Sequence, residues 1–87
     1  MKLKNGFILR EVAGSTVVVS LDPEHTFGSM LKLNGTGKLL WERLSEESTV
    51  SSLTAALTAE YEIDEGTAQG DVERFLDMLR SFGVLEE

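Results

Sequence analysis

Residues 71–87 read DVERFLDMLRSFGVLEE, and residues 33–41, LNGTGKLLW, complete what that stretch begins. In the first segment, extended back to Ala68, the apolar residues Ala68, Val72, Phe75, Leu79 and Phe82 recur every three or four positions, and Leu76 widens the stripe. That spacing puts them on one face of an α-helix and predicts that this face is core. The neighbouring stripe is Gly70, Arg74, Met78 and Ser81. A small residue, a cation and a flexible thioether on one line exceed what a solvated face requires, so this stripe is the expected functional surface. Together the two segments read as parts of a peptide-binding groove rather than of a catalytic pocket.

Asp64 is placed to cap this helix and Gly83 to end it. Upstream, Thr49 caps a second helix that carries Val50, Leu53, Ala56, Leu57 and Tyr61 on one face, with residues 62–64 separating the two. Asn34 caps a first helix over residues 35–44, where Leu40 and Leu44 lie one turn apart with Leu39 and Trp41 beside them. Before the helices, residues 7–12 and 16–21 are β-branched and apolar runs divided by Ala13, Gly14 and Ser15, a hairpin signal. Residues 22–28 hold the only proline, Pro23, and read as a loop. A third short strand follows over residues 30–33. The expected class is α+β, a three-stranded antiparallel sheet followed by three helices covering one face. Leu33, Leu40, Leu44, Leu53, Leu57, Val72, Leu76 and Leu79 are expected in one core, onto which Val84 and Leu85 fold back.

At 87 residues the chain is expected to be one domain, residues 1–87, with a single modest core. The absence of cysteine excludes disulfides, thiolate metal sites and cysteine nucleophiles. The apolar run at residues 7–9 is too short for a signal peptide, and no stretch is long enough to span a bilayer, so a soluble cytoplasmic protein without a membrane partner is expected. The formal net charge of −7 argues against nucleic acid, whose affinity rests on Lys and Arg neutralising phosphate. No basic residue falls between Arg43 and Arg74, whereas Glu46, Glu47, Glu60, Glu62, Asp64, Glu65, Asp71 and Glu73 do. A DNA backbone meets repulsion there.

Several apparent motifs have plainer readings. Gly35, Thr36, Gly37 and Lys38 resemble the end of a phosphate-binding loop, but Lys32 and Leu39 stand where that loop needs glycine and a hydroxyl, and Leu40 breaks the dinucleotide pattern. Helix entry after an asparagine cap accounts for the glycines. Asp22, Glu24 and the lone His25 fit a solvated turn better than a metal site. No strand-turn-helix elbow surrounds any serine, so a hydrolase triad is not supported, and no catalytic residue, metal or cofactor is assigned. Trp41 reads as core filling. Gly66 and Gly70 admit either a close backbone approach or simple tolerance near a helix start.

Leu33-Asn34, Thr36-Gly37 and Trp41, the helix running into Tyr61, and Asp71-Val72, Phe75-Leu76, Leu79, Gly83 and Leu85 together resemble the PqqD family. Its members are peptide chaperones, also called recognition elements, for ribosomally synthesised and post-translationally modified peptides. The resemblance implies a winged helix-turn-helix-like domain that captures the leader of a precursor peptide and presents it to a modifying enzyme. In the family the leader adds as a β-strand beside the third strand and lies against the third helix. Carried onto this chain, the peptide-binding residues are Ser29, Met30, Leu31, Lys32, Leu33, Arg74, Phe75 and Met78. Arg74, Lys32 and Arg80 are then the candidates to pair with acidic leader residues. The partners implied are the leader and a separate peptide-modifying enzyme, of radical SAM or of cyclase/protease type. The working state is expected to be a monomer, with a dimer through the edge strand at high concentration. The alternatives are a winged-helix DNA-binding protein and a regulatory module that assembles with another protein.

Overall fold

The hairpin turn is set by two consecutive residues with positive φ, Ala13 at 50° and Gly14 at 81°. A two-residue turn of this kind matches the right-handed twist of the strands it joins. In the computed structural model, which describes residues 1–21 and 31–87, it links β2 (Phe7–Val12) to β3 (Ser15–Ser20). Ser15 therefore belongs to the strand, one residue earlier than expected, and Leu21 lies beyond it at 64% exposure. β4 (Leu31–Leu33) pairs antiparallel with β3, giving the sheet order β2-β3-β4. Met30, Ser29 and the whole stretch 22–28, with His25, lie outside the described residues.

The three helices begin where the capping chemistry places them. α1 (Gly35–Arg43) starts after Asn34, whose side chain accepts the Gly37 N–H; α2 (Val50–Glu60) starts after Thr49, which forms a reciprocal box with Ser52. α3 (Glu65–Phe82) starts after Asp64, which accepts the Thr67 N–H, and stops at Gly83 in the left-handed conformation. Leu44 is the C-cap of α1 rather than its last residue. Tyr61, placed on the buried face of α2 by spacing, is its C-cap with extended backbone, and 38% exposed.

Two short strands add to the expected order. β1 (Lys2–Leu3) and β5 (Leu85–Glu86) form a separate antiparallel pair. The Leu3 N–H also donates to the Leu44 carbonyl, and the Lys4 N–H to that of Val84, each at 2.9 Å. This pair ties the segment before the hairpin to the residues after α3 and to the end of α1. No helix among the described residues is long and apolar enough to cross a membrane.

One cluster joins sheet and helices: Val18, Leu40, Trp41, Leu44, Leu53, Leu57, Ala68, Val72, Leu76, Leu79, Val84 and Leu85 are buried together, with Leu31, Leu33, Phe75 and Met78 packed against its edge. Each fully buried leucine contributes roughly 1.5–3 kcal/mol relative to exposure. Along α3 the buried line is Ala68, Val72, Leu76 and Leu79. Phe75 and Phe82, assigned to the core by spacing, are half-buried on its flanks. A Cβ at Gly66 or Gly70 would meet only a side-chain atom of its own helix or cap, Asp64 Oδ1 at 3.3 Å or Arg74 Nη1 at 3.5 Å. No neighbouring backbone approaches either glycine among the described residues, so both are explained by tolerance.

Candidate functional site

The side of β4 that bears hydrogen bonds outward follows from the register of the hairpin. Antiparallel pairs alternate between those that exchange both backbone hydrogen bonds and those that exchange none. Leu21 N–H donates to Gly6 O at 2.7 Å just beyond the ladder. Counting in steps of two, Ile8 with Val19, Arg10 with Val17 and Val12 with Ser15 are the hydrogen-bonded pairs. Val17 therefore directs its N–H and C=O to β2, while Thr16 and Val18 direct theirs to β4. Their partners on β4 are Leu33 and Leu31, and Lys32 stands opposite Val17. Lys32 thus turns its N–H and C=O away from β3, towards the side of β4 on which no described strand pairs. Among the described residues that side is an unpaired edge.

Side chains alternate across the sheet as well. Leu31 and Leu33 project to the face of Val18, towards the helices. Lys32 projects to the opposite face with Val17 and Arg10. Beside the β4 edge, α1 and α3 enclose a cleft of about 290 Å³ lined by Asn34, Thr36, Gly37, Leu40, Asp71, Arg74, Phe75 and Met78. The cleft is tightly lined at Gly37: a Cβ there would lie 3.1 Å from Asn34 Oδ1, 3.3 Å from Phe75 Cε1 and 3.5 Å from Leu33 Cβ. Absence of a side chain lets the Phe75 ring rest on the start of α1 and continue the apolar surface of Leu33. Met78, one turn further along α3 and half-buried, extends that surface with a side chain able to adapt its shape.

Of the eight residues expected to hold a peptide, the structure thus brings Leu31, Lys32 and Leu33 into an edge strand and puts Arg74, Phe75 and Met78 in the adjoining cleft. Ser29 and Met30 lie outside the described residues. Asn34, Thr36, Gly37, Leu40 and Asp71 line the cleft without having been assigned to it. Gly37 carried no signal of its own, since glycine is tolerated in the first turn of a helix; the close approach of Phe75 shows only in the packing.

The cations differ in their engagements. Arg74 is exposed and ion-paired with Asp71 one turn earlier. Arg80 pairs with Asp77 and Glu87, each at 2.9 Å. Lys38 reaches Glu11 at 2.9 Å, and that bond holds the Glu11 carboxyl below, and the Lys38 ammonium above, its ordinary range. Lys32 and Arg10 are exposed and make no ion pair with any described residue.

A second hollow of about 490 Å³ lies between α2 and the start of α3, beside Ser51, Thr54, Thr58 and Gln69. The hydroxyls of Thr54 and Thr58 are spent on the carbonyls of Val50 and Ala55, and Gln69 on Glu73. None of its lining residues belongs to a strand. Among the described residues no group of three or more His, Cys, Asp or Glu side chains is arranged to hold a metal ion.

The sequence profile of the family described as coenzyme PQQ synthesis protein D (PqqD) matches residues 7–85. The solved structure of TbiB1 in complex with the TbiA(beta) leader peptide is 26% identical, with a TM-score of 0.77, over 99% of this chain and 95% of that one. The lasso peptide synthetase B1 complexed with the leader peptide is 21% identical, with a TM-score of 0.76, over 99% of this chain and 96% of that one; this second likeness bears on the fold. No curated protein matches the chain.

Proposed function

The chain belongs to the PqqD family, and on that premise we propose that it is a non-catalytic peptide chaperone that binds the leader of a ribosomally synthesised precursor and presents it to a separate modifying enzyme. The observation that carries this reading is the juxtaposition of an edge strand offering the Lys32 N–H and C=O with a cleft lined by Phe75, Met78 and Gly37. An extended peptide gains affinity from backbone bonds to such an edge and selectivity from pockets for alternate side chains. The structure of TbiB1 with the TbiA(beta) leader peptide, similar over nearly the whole length of both chains, supports the same use of the fold. The peptide-binding residues are Leu31, Lys32, Leu33, Arg74, Phe75 and Met78, together with Ser29 and Met30, which lie outside the described residues, and the working state is a monomer.

DNA binding is disfavoured by the charges of the helix that a winged-helix protein would place in the major groove. α3 exposes Glu65, Glu73 and Asp77, and its two arginines are each paired with acids of the chain.

The reading is tested by titrating a precursor-peptide leader segment, sought among the genes beside this one, into parent, Lys32→Pro, Lys32→Ala and Phe75→Asp proteins, each checked for folding by circular dichroism. Lys32→Pro removes the edge donor and is expected to weaken binding more than Lys32→Ala; Phe75→Asp is expected to abolish it. Equal affinities across the four would place the peptide elsewhere.

A further inference from the structure

Resting on that reading, we infer that the chain selects a three-residue register in the leader: an acidic side chain opposite Lys32, flanked on each side by apolar side chains that enter the cleft. The sheet is antiparallel throughout β2, β3 and β4, and a fourth strand that continues the pattern pairs with the outward N–H and C=O of Lys32. The leader residue opposite Lys32 is therefore the one that exchanges both backbone hydrogen bonds with it. Directly opposed side chains share a face of the sheet, so this residue projects beside the Lys32 ammonium. The residues before and after it stand opposite Leu31 and Leu33 and project with them to the helix side, against Met78 and the Phe75 ring that rests on Gly37.

The charge of the central residue follows from what surrounds it. Across the outer face the row reads Arg10, Val17, Lys32, two exposed cations on either side of a fully buried valine. Neither cation has an acidic partner among the described residues. Glu11 projects to the other face and is held by Lys38. Arg74 and Arg80, the two cations of the groove helix, are ion-paired with Asp71 and with Asp77 and Glu87. In a chain of net charge −7, the outer row is where a carboxylate on the added strand finds positive charge that no described residue pairs with. Specificity for acid thus belongs to the strand and specificity for apolar bulk to the helix.

The test is selection of a display library of random peptides on the immobilised full chain, with the enriched peptides sequenced. Parent protein is expected to enrich an apolar-acidic-apolar triplet. Lys32→Glu is expected to turn the central position to Lys or Arg while leaving both apolar positions in place, and Lys32→Gln to remove the central preference alone. A directly opposed charge pair is expected to change individual affinities by up to about fivefold. Binders lost in Phe75→Asp whose central position is the same for parent, Lys32→Glu and Lys32→Gln would overturn the register and leave the groove standing. A library yielding no binder that depends on Phe75 or Lys32 would overturn the groove reading and this inference with it.

Discussion

The Cβ that Gly37 lacks would stand 3.3 Å from Phe75 Cε1, so the aromatic ring of α3 lies directly on the first turn of α1. The same position would crowd Asn34 Oδ1 at 3.1 Å, the atom that caps α1. One missing methyl group thus lets the cap and the ring share a corner of the cleft.

Gly37→Ala is expected to lower stability. Overpacking costs about 1–3 kcal/mol, while alanine returns at most about 1 kcal/mol of helix propensity. Adding Phe75→Leu should recover part of the loss, because the shorter side chain frees the contested space. Urea denaturation of both single variants and the double variant checks this; additive losses would show that the two residues do not compete.

Leu76 and Met78 are close neighbours on α3 but serve different surfaces. Leu76 is 1% exposed and wholly within the core, so Leu76→Ala is expected to cost about 2–5 kcal/mol. Met78 is half-buried at the cleft, and Met78→Ala should cost about 1 kcal/mol of stability while weakening peptide affinity. Paired denaturation and titration separate the two effects.

Stability should fall on the acid side in part through Asp64. The Thr67 hydroxyl and then the Thr67 N–H hold its carboxyl below the ordinary carboxylate range. A depressed folded-state pKa contributes stability above the unfolded value, near 4, and loses it as pH falls through the folded value. Asp64→Asn keeps a cap acceptor but cannot titrate, so its stability should decline less between about pH 5 and pH 3. Urea midpoints across that range measure the difference.

The β1–β5 pair is expected to stabilise the fold without touching the cleft. Leu3→Pro removes the donor to the Leu44 carbonyl and should cost about 1–3 kcal/mol. Peptide affinity of the folded fraction should be unchanged. A matching loss of affinity, measured by titration, would show that this pair also shapes the groove.

The helices were legible because capping is local: Asn34, Thr49 and Asp64 each announce a start within three residues of the N–H they accept. The centre of an apolar stripe was harder to tell from its edge. Phe75 and Phe82 share the spacing of Val72 and Leu79, yet only packing against α1 and α2 decides which residues become fully buried. β1 and β5, at two residues each, have no periodicity to read, and their pairing joins opposite ends of the sequence. The outward direction of Lys32 was partly implicit, since turn length determines hydrogen-bond parity, but assigning it required the register between β3 and β4. The pairing of Arg80 with Glu87 depends on how the chain turns back after Gly83, which spacing along a helix does not reveal.

A bound peptide strand is expected to complete the edge of β4 at Lys32. Amide hydrogen exchange of the full chain, followed by NMR with and without a saturating peptide recovered from the display selection, tests it at single-bond resolution. Slower exchange is expected at the Lys32 N–H on binding, with little change at Leu31 and Leu33, whose N–H groups already face β3. Saturation with peptide that leaves Lys32 exchange unchanged would contradict it.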